Sequence, residues 1–136
     1  MREIVKATVA VAVVLAALGA SGCGGSGSSD EDQVRAAITR LIHARNANDF
    51  ATVCDGLTAE QVSGIKKNSG LSCPEALHSV PGATTTKTKL QIQQIRTSDD
   101  RATVEATVHH NGGAGQDQSI LMVKEDGDWK VASAGF

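Results

Sequence analysis

Residues 87 to 110 read KTKLQIQQIRTSDDRATVEATVHH, and here the hydrophobic period of the chain becomes two. Ala102, Val104, Ala106 and Val108 alternate with Thr103, Glu105, Thr107 and His109, the pattern of a strand with one face toward a core. Leu90 and Ile92 alternate in the same way, but Ile95 falls one step out of phase, which predicts a bulge or a bent strand. Between the two runs, Ser98, Asp99 and Asp100 form a turn. Downstream, "NGGAGQD" (111–117) predicts a loop, "QSILMVKE" (118–125) a strand, "DGD" (126–128) a tight hairpin turn and "WKVASAG" (129–135) a closing strand.

Upstream the period is helical. Val34, Ile38, Leu41 and Ile42 recur on one stripe, predicting a helix over about residues 31 to 47, with Asp30 and Gln33 approximating a capping box. His43 lies about half a turn from that stripe and faces solvent. Asp49 before Phe50, and Thr58 with Gln61, start two further helices near 49–56 and 58–67, and "NSG" (68–70) ends the second. "LSCPEALHS" (71–79) reads as a short last helix with Ser72 or Cys73 as its cap and Pro74 at its first position. "VPGATTT" (80–86) stops the helical half, and the "TTTKTK" that overlaps it is a polar strand edge whose lysines discourage stray pairing. Helices first and an antiparallel meander second define an α+β fold, with helices packed on one face of a curved sheet.

The first 22 residues have a different character. Arg2 and Lys6 precede "ATVAVAVVLAALGA" (7–20), a run whose only polar side chain is Thr8. At 14 residues it suits a signal-peptide core and falls short of the roughly 20 that a spanning helix needs. The "ASGC" that follows resembles the lipobox of bacterial lipoproteins, with Ala20 where that pattern usually has Leu. The resemblance implies that residues 1–22 are a leader and that Cys23 is lipidated and becomes the mature N-terminus. Residues 23–30 then read as a Gly/Ser tether, and residues 31–136 as the folded domain. The expected location is the extracytoplasmic face of the cell membrane; a leader cut without lipidation would make the chain secreted.

Composition narrows the partners. Thirteen basic against fifteen acidic residues give −2, and with the leader's Arg2, Lys6 and Glu3 removed the remainder stands at −3. Phe50, Trp129 and Phe136 are the only aromatic residues. Nucleic acid is excluded as an expected partner, since phosphate binding needs a basic footprint and usually stacking surfaces. The three cysteines divide if Cys23 carries lipid: Cys54 and Cys73 remain, and in an oxidising compartment they are expected to pair. As a zinc site, Cys54, Cys73 and His78 would be one ligand short of the usual four. As a nucleophile, Cys54 would need a base that its sequence neighbours do not supply. No metal and no cofactor are expected.

An amphipathic first helix, "VRAAITRLIHARNANDFATVCDGL" (34–57), short helices, and strands ending in "LMVKEDGDWKVA" (121–132) resemble the nuclear transport factor 2-like (NTF2-like) superfamily. The resemblance is strongest to its lipid-anchored bacterial members with paired cysteines in the helical half. Ala44, Asn48, Asp49 and Cys54, together with the hairpin holding Trp129 and Val131, carry it. It implies a cone, a strongly bent sheet whose concave side is covered by helices and can enclose a pocket, and it allows a homodimer formed through the sheet. Superfamily enzymes place Asp and His inside the cone. Here Glu105 and His109 belong to the outward face, Asp49 caps a helix, Asp55 is a surface charge or a cap partner, and His78 complements a helix C-terminus. The Gly-rich "NGGAGQD" does not lead from a strand into a helix, so it is no phosphate cradle.

His110 is the exception. It continues the inward register of Val108, and it either points into the cone mouth or stands exposed where the strand ends. The functional expectation is a non-catalytic, lipid-anchored envelope protein whose domain binds a small hydrophobic ligand or an envelope protein partner. The alternatives are an isomerase- or dehydratase-like enzyme using His110, and an accessory subunit of an envelope complex. Whether the cone is hollow depends on how the small residues Ala102, Ala106, Ala132 and Ala134 are covered.

Overall fold

The computed structural model describes residues 29–133; Cys23, the leader, most of the tether and Ala134 lie outside them. Four helices, α1 (Asp30–Asn46), α2 (Phe50–Asp55), α3 (Ala59–Ser69) and α4 (Cys73–Ser79), precede four strands, β1 (Thr88–Ser98), β2 (Arg101–His110), β3 (Gln116–Glu125) and β4 (Asp128–Ser133). The strands pair antiparallel in the order β1-β2-β3-β4, a simple meander. This is the expected α+β architecture, with the helices gathered on one face of a curved sheet.

The period-two readings place the sheet. In β2, Ala102, Val104, Ala106 and Val108 are all buried, and the residues between them are only half-covered. The phase break in β1 is a bulge at Gln93, where the register with β2 shifts between Ile92 and Gln94. Ile95 thereby returns to the inner face beside Leu90 and Ile92. A second shift between Leu121 and Met122 disturbs the pairing of β3 with β4. Each extra residue increases the local twist and bends the strand, and two such irregularities help curl a four-stranded meander. The β3–β4 turn has two central residues, Asp126 and Gly127, with φ of 51° and 84°. Positive φ at both positions is what a two-residue hairpin requires, and Asp-Gly supplies it cheaply.

The first helix lies across the concave face and is fastened at both ends. At its start, Lys124 of β3 pairs with Asp30 at 3.0 Å, its ammonium 5.2 Å from the centre of the buried Trp129 ring. At its end, Asn46 clamps the first residue of β1: its Oδ1 accepts from the Thr88 amide, and its Nδ2 donates to the Thr88 carbonyl, both at 2.8 Å. Between these fastenings Val34, Ile38, Leu41 and Ala44 are buried against Ala102, Val104, Ala106, Ile120 and Met122. The central cone is thus filled, with the small Ala102 and Ala106 covered in the core shared with α1.

Several helix boundaries differ from the sequence reading. The cap of α1 is Ser29, whose Oγ accepts from the Asp32 amide at 3.2 Å, so Asp30 is already helical and belongs to the domain rather than the tether. The helix also stops at Asn46, and α3 runs on to Ser69, where Gly70 takes the left-handed conformation that glycine tolerates. In α4 the first residue is Cys73, so Pro74 stands second. Gln116 and Asp117 belong to β3 rather than the preceding loop, because they pair with Val108 and Thr107. Thr58 caps α3 by accepting from the Gln61 amide, but the Gln61 side chain donates to the Ala132 carbonyl and does not close the box. That bond belongs to a contact across a long stretch of chain. The Val131 amide donates to the Gly56 carbonyl at 2.7 Å, and the Thr58 amide donates to the Val131 carbonyl at 3.0 Å. Leu57 thus bridges to Val131, and the α2–α3 connection covers the outer edge of β4.

Candidate functional site

Beyond the filled centre, the core opens into a cavity of about 280 Å³ at the C-terminal end of α1. Leu41 and Arg45 reach it from the last turns of α1, and Phe50 and Val53 from α2. Leu57 and Val131, the residues of the edge bridge, close one side. Leu77 and Val80 from α4 and its end, with Ala83 beyond, complete the helical wall. Among the described residues, Arg45, Gln61 and His110 are the polar side chains of this lining, and no Asp or Glu is part of it.

The helical wall is built from short elements that need local help. Asp49 caps α2, accepting from the Thr52 amide at 3.1 Å and the Thr52 hydroxyl at 2.7 Å. These two bonds, the hydroxyl one first, hold the Asp49 carboxyl below its ordinary pKa of 3.8. At α4, the Glu75 carboxylate accepts from the Ser72 hydroxyl at 2.6 Å and from the Ser72 amide at 3.1 Å. The same order of causes lowers Glu75 from 4.5. Cys54 and Cys73 are joined by a disulfide with Cα atoms 6.1 Å apart, tying α2 to the first residue of α4. Both cysteines are buried. His78, in the last turn of α4, meets Phe50 edge-on with ring centroids 5.8 Å apart, which braces the same two helices.

His110 stands in the cavity wall. It continues the inward register of Val108, it is half-buried, and its partner across the strands is the buried Thr88. Its Nδ1 lies 3.3 Å from the Thr88 Oγ1. Neighbouring His109 points to the outer face, with Nδ1 3.0 Å from the Gly113 carbonyl and Nε2 3.3 Å from the Gln91 side-chain oxygen. Glu105 is on that face too, accepting from Ser119 at 3.2 Å and lying 3.9 Å from Arg96. His43 is exposed on α1, as its angular position predicts.

The sequence does not mark Arg45 as a cavity residue, and it marks Gln61 only as a capping partner of Thr58. Arg45 follows Leu41 by four residues and Ile38 by seven, which places it on the buried stripe and was the available signal. Gln61 carried no such signal, since its position depends on the distant Ala132 carbonyl. Among the described residues, no group of three or more His, Cys, Asp and Glu side chains is placed to hold a metal ion. No described helix is long and apolar enough to cross a membrane.

A helical lid on the concave side of a bent four-stranded meander, leaving a pocket at one end, is the architecture of a cone-shaped α+β domain. The fold is NTF2-like. A candidate dehydratase of the NTF2-like family from Streptomyces avermitilis superposes with a TM-score of 0.51 at 18% identity, covering 76% of this chain and 91% of that one. An NTF2-like protein of unknown function from Cytophaga hutchinsonii gives a TM-score of 0.43 at 16% identity, covering 75% and 89%. At 18% identity the first of these likenesses is one of fold alone. No protein-family model matches the sequence, and no curated protein matches it significantly.

Proposed function

We infer that this chain is a lipid-anchored protein of the bacterial cell envelope whose NTF2-like domain binds a small, mainly apolar molecule without transforming it. The observation that carries the binding role is the 280 Å³ cavity with its largely aliphatic lining. That volume approaches the lower end of small-molecule sites, roughly 300 Å³, and apolar walls with a few polar groups are what such sites use. The non-catalytic role is supported by the composition of the lining. Proton transfer by an acid/base pair needs two groups that exchange a proton with the substrate, and among the described residues no carboxylate stands in this wall beside His110. Export and anchoring rest on the charged start, the short apolar run and the small residues before Cys23.

A second reading keeps His110 as the acid or base of an isomerase- or dehydratase-like reaction, favoured by its position in the cavity wall. Native mass spectrometry of the chain extracted from its own membrane, without reductant and then denatured, tests the main reading. An acylated Cys23 and a small molecule released only on denaturation are expected, with the molecule absent from Leu77→Trp, in which the indole fills the cavity. An unlipidated, empty wild-type chain would overturn the proposal and favour docking of the outer sheet face onto an envelope partner.

A further inference from the structure

Arg45 is the fixed cation of the cavity wall, and among the described residues it has no acidic partner there. Its stem runs along the apolar stripe of α1, as long basic side chains do when they cover hydrophobic surface. Its Nη1 donates to the Ala83 carbonyl at 3.2 Å, which holds the guanidinium at the cavity edge. That bond uses one of five N–H donors. The ion pairs among the described residues lie elsewhere, on Arg35, Arg96 and Lys124. His110 belongs to the same end of the cavity: Asn46, next to Arg45, grips Thr88, and Thr88 is both the register partner of His110 and the contact of its Nδ1.

A guanidinium beside an aliphatic wall binds a carboxylate well, because its planar fork makes two parallel charge-assisted hydrogen bonds and low-dielectric surroundings strengthen them. The remainder of the site selects for hydrocarbon. An engineered cavity of ~150 Å³ accepts benzene, so 280 Å³ holds a larger body, roughly ten non-hydrogen atoms by the same yardstick. We propose that the cavity takes a small amphiphilic anion, a monocarboxylate whose head sits at Arg45 and whose apolar body lies between Phe50, Val53, Leu57 and Leu77. This rests on the reading of the cavity as a binding site, and it adds the chemical class of the ligand.

The test titrates the processed chain with octanoate and with octan-1-ol, which have the same apolar tail, and follows the methyl signals of Val53, Leu57 and Leu77 by NMR. Octanoate is expected to bind at least about tenfold more tightly than octanol, the range in which one charge-assisted pair registers. Arg45→Gln should abolish that preference by weakening octanoate alone, and Arg45→Lys, which keeps the charge but loses the fork, should retain part of it. Equal affinities in the wild type, or an octanoate affinity unchanged in Arg45→Gln, would overturn the assignment of the head group and leave the apolar site standing. Methyl signals that respond to neither probe would overturn the site and the assignment together. The wild-type comparison needs no variant, so it decides the matter even if Arg45→Gln does not fold.

Discussion

Replacing Cys54 and Cys73 together by alanine removes the covalent tie between α2 and α4, and the cost follows from the length of chain the bond closes. The two residues are 19 apart in sequence. The loop-entropy relation gives about 11 cal/mol/K for a loop of that size, or about 3 kcal/mol at 25 °C. The described domain spans residues 29–133, and at about 2.1 cal/mol/K per residue its unfolding entropy is about 0.22 kcal/mol/K. A loss of 3 kcal/mol then lowers the thermal midpoint by about 14 °C. The assay is thermal unfolding followed by far-ultraviolet circular dichroism, without reductant, for wild type and the double variant. Changing both cysteines avoids leaving a buried free thiol. The reasoning is refuted by a midpoint that falls less than about 4 °C, which corresponds to under 1 kcal/mol. Such a result would mean that Phe50, His78 and their neighbours hold α2 against α4 without the bond, or that the unfolded chain already restrains this loop.

Three further outcomes are expected. Asn46→Ala strips two hydrogen bonds from the Thr88 backbone; a loss of about 1–3 kcal/mol in urea unfolding should accompany faster amide exchange at Thr88. Ile38→Ala empties a fully buried position under α1 and should cost about 2–5 kcal/mol by the same assay, with the disulfide intact by mass. Acid should loosen the helical wall before the sheet. The pKa values of Asp49 and Glu75 are lowered in the folded state from 3.8 and 4.5, so their stabilisation is complete above those ordinary values and is lost as pH falls through the folded ones. The protection of α2 and α4 amides, relative to their intrinsic exchange rates, should fall on acidification below about pH 4, and Glu75→Gln should flatten that dependence for α4 alone.

The legible parts of the fold share one property, that their signal lies within a few residues. The bulge at Gln93 was visible because Ile95 breaks the alternation of Leu90 and Ile92, and the inward set of β2 because its period is unbroken. Asp49, Thr58 and Gly70 announced helix ends through local chemistry. Where two neighbouring residues were both able to cap, the reading slipped by one, as at Ser29 and Asp30. The stripe of α1 slipped as well: Ala44 is buried and Ile42 is only half so. In that last turn Asn46 is clamped to Thr88 at the start of β1, a contact no local period encodes.

The candidate site was less legible because its parts are distant in sequence. His110 lies in the inward register, yet its place in a cavity wall depends on Arg45, Phe50 and Leu77, which line the same cavity from α1, α2 and α4. Arg45 is held by a carbonyl 38 residues away, and Gln61 by one 71 residues away. No local period encodes such contacts.

The sequence alone determined the order of helices and strands and the inward face of β2, and it made Cys54 and Cys73 the expected pair, because side-chain alternation and capping chemistry are short-range constraints and cysteine count bounds the pairing. Only the tertiary structure decided that the cone is filled under α1 and hollow at its far end. Filling is a matter of volume between elements: Val34, Ile38 and Leu41 occupy the space above Ala102 and Ala106, whereas α2 and α4 are tied to each other across the cavity end and leave its space open.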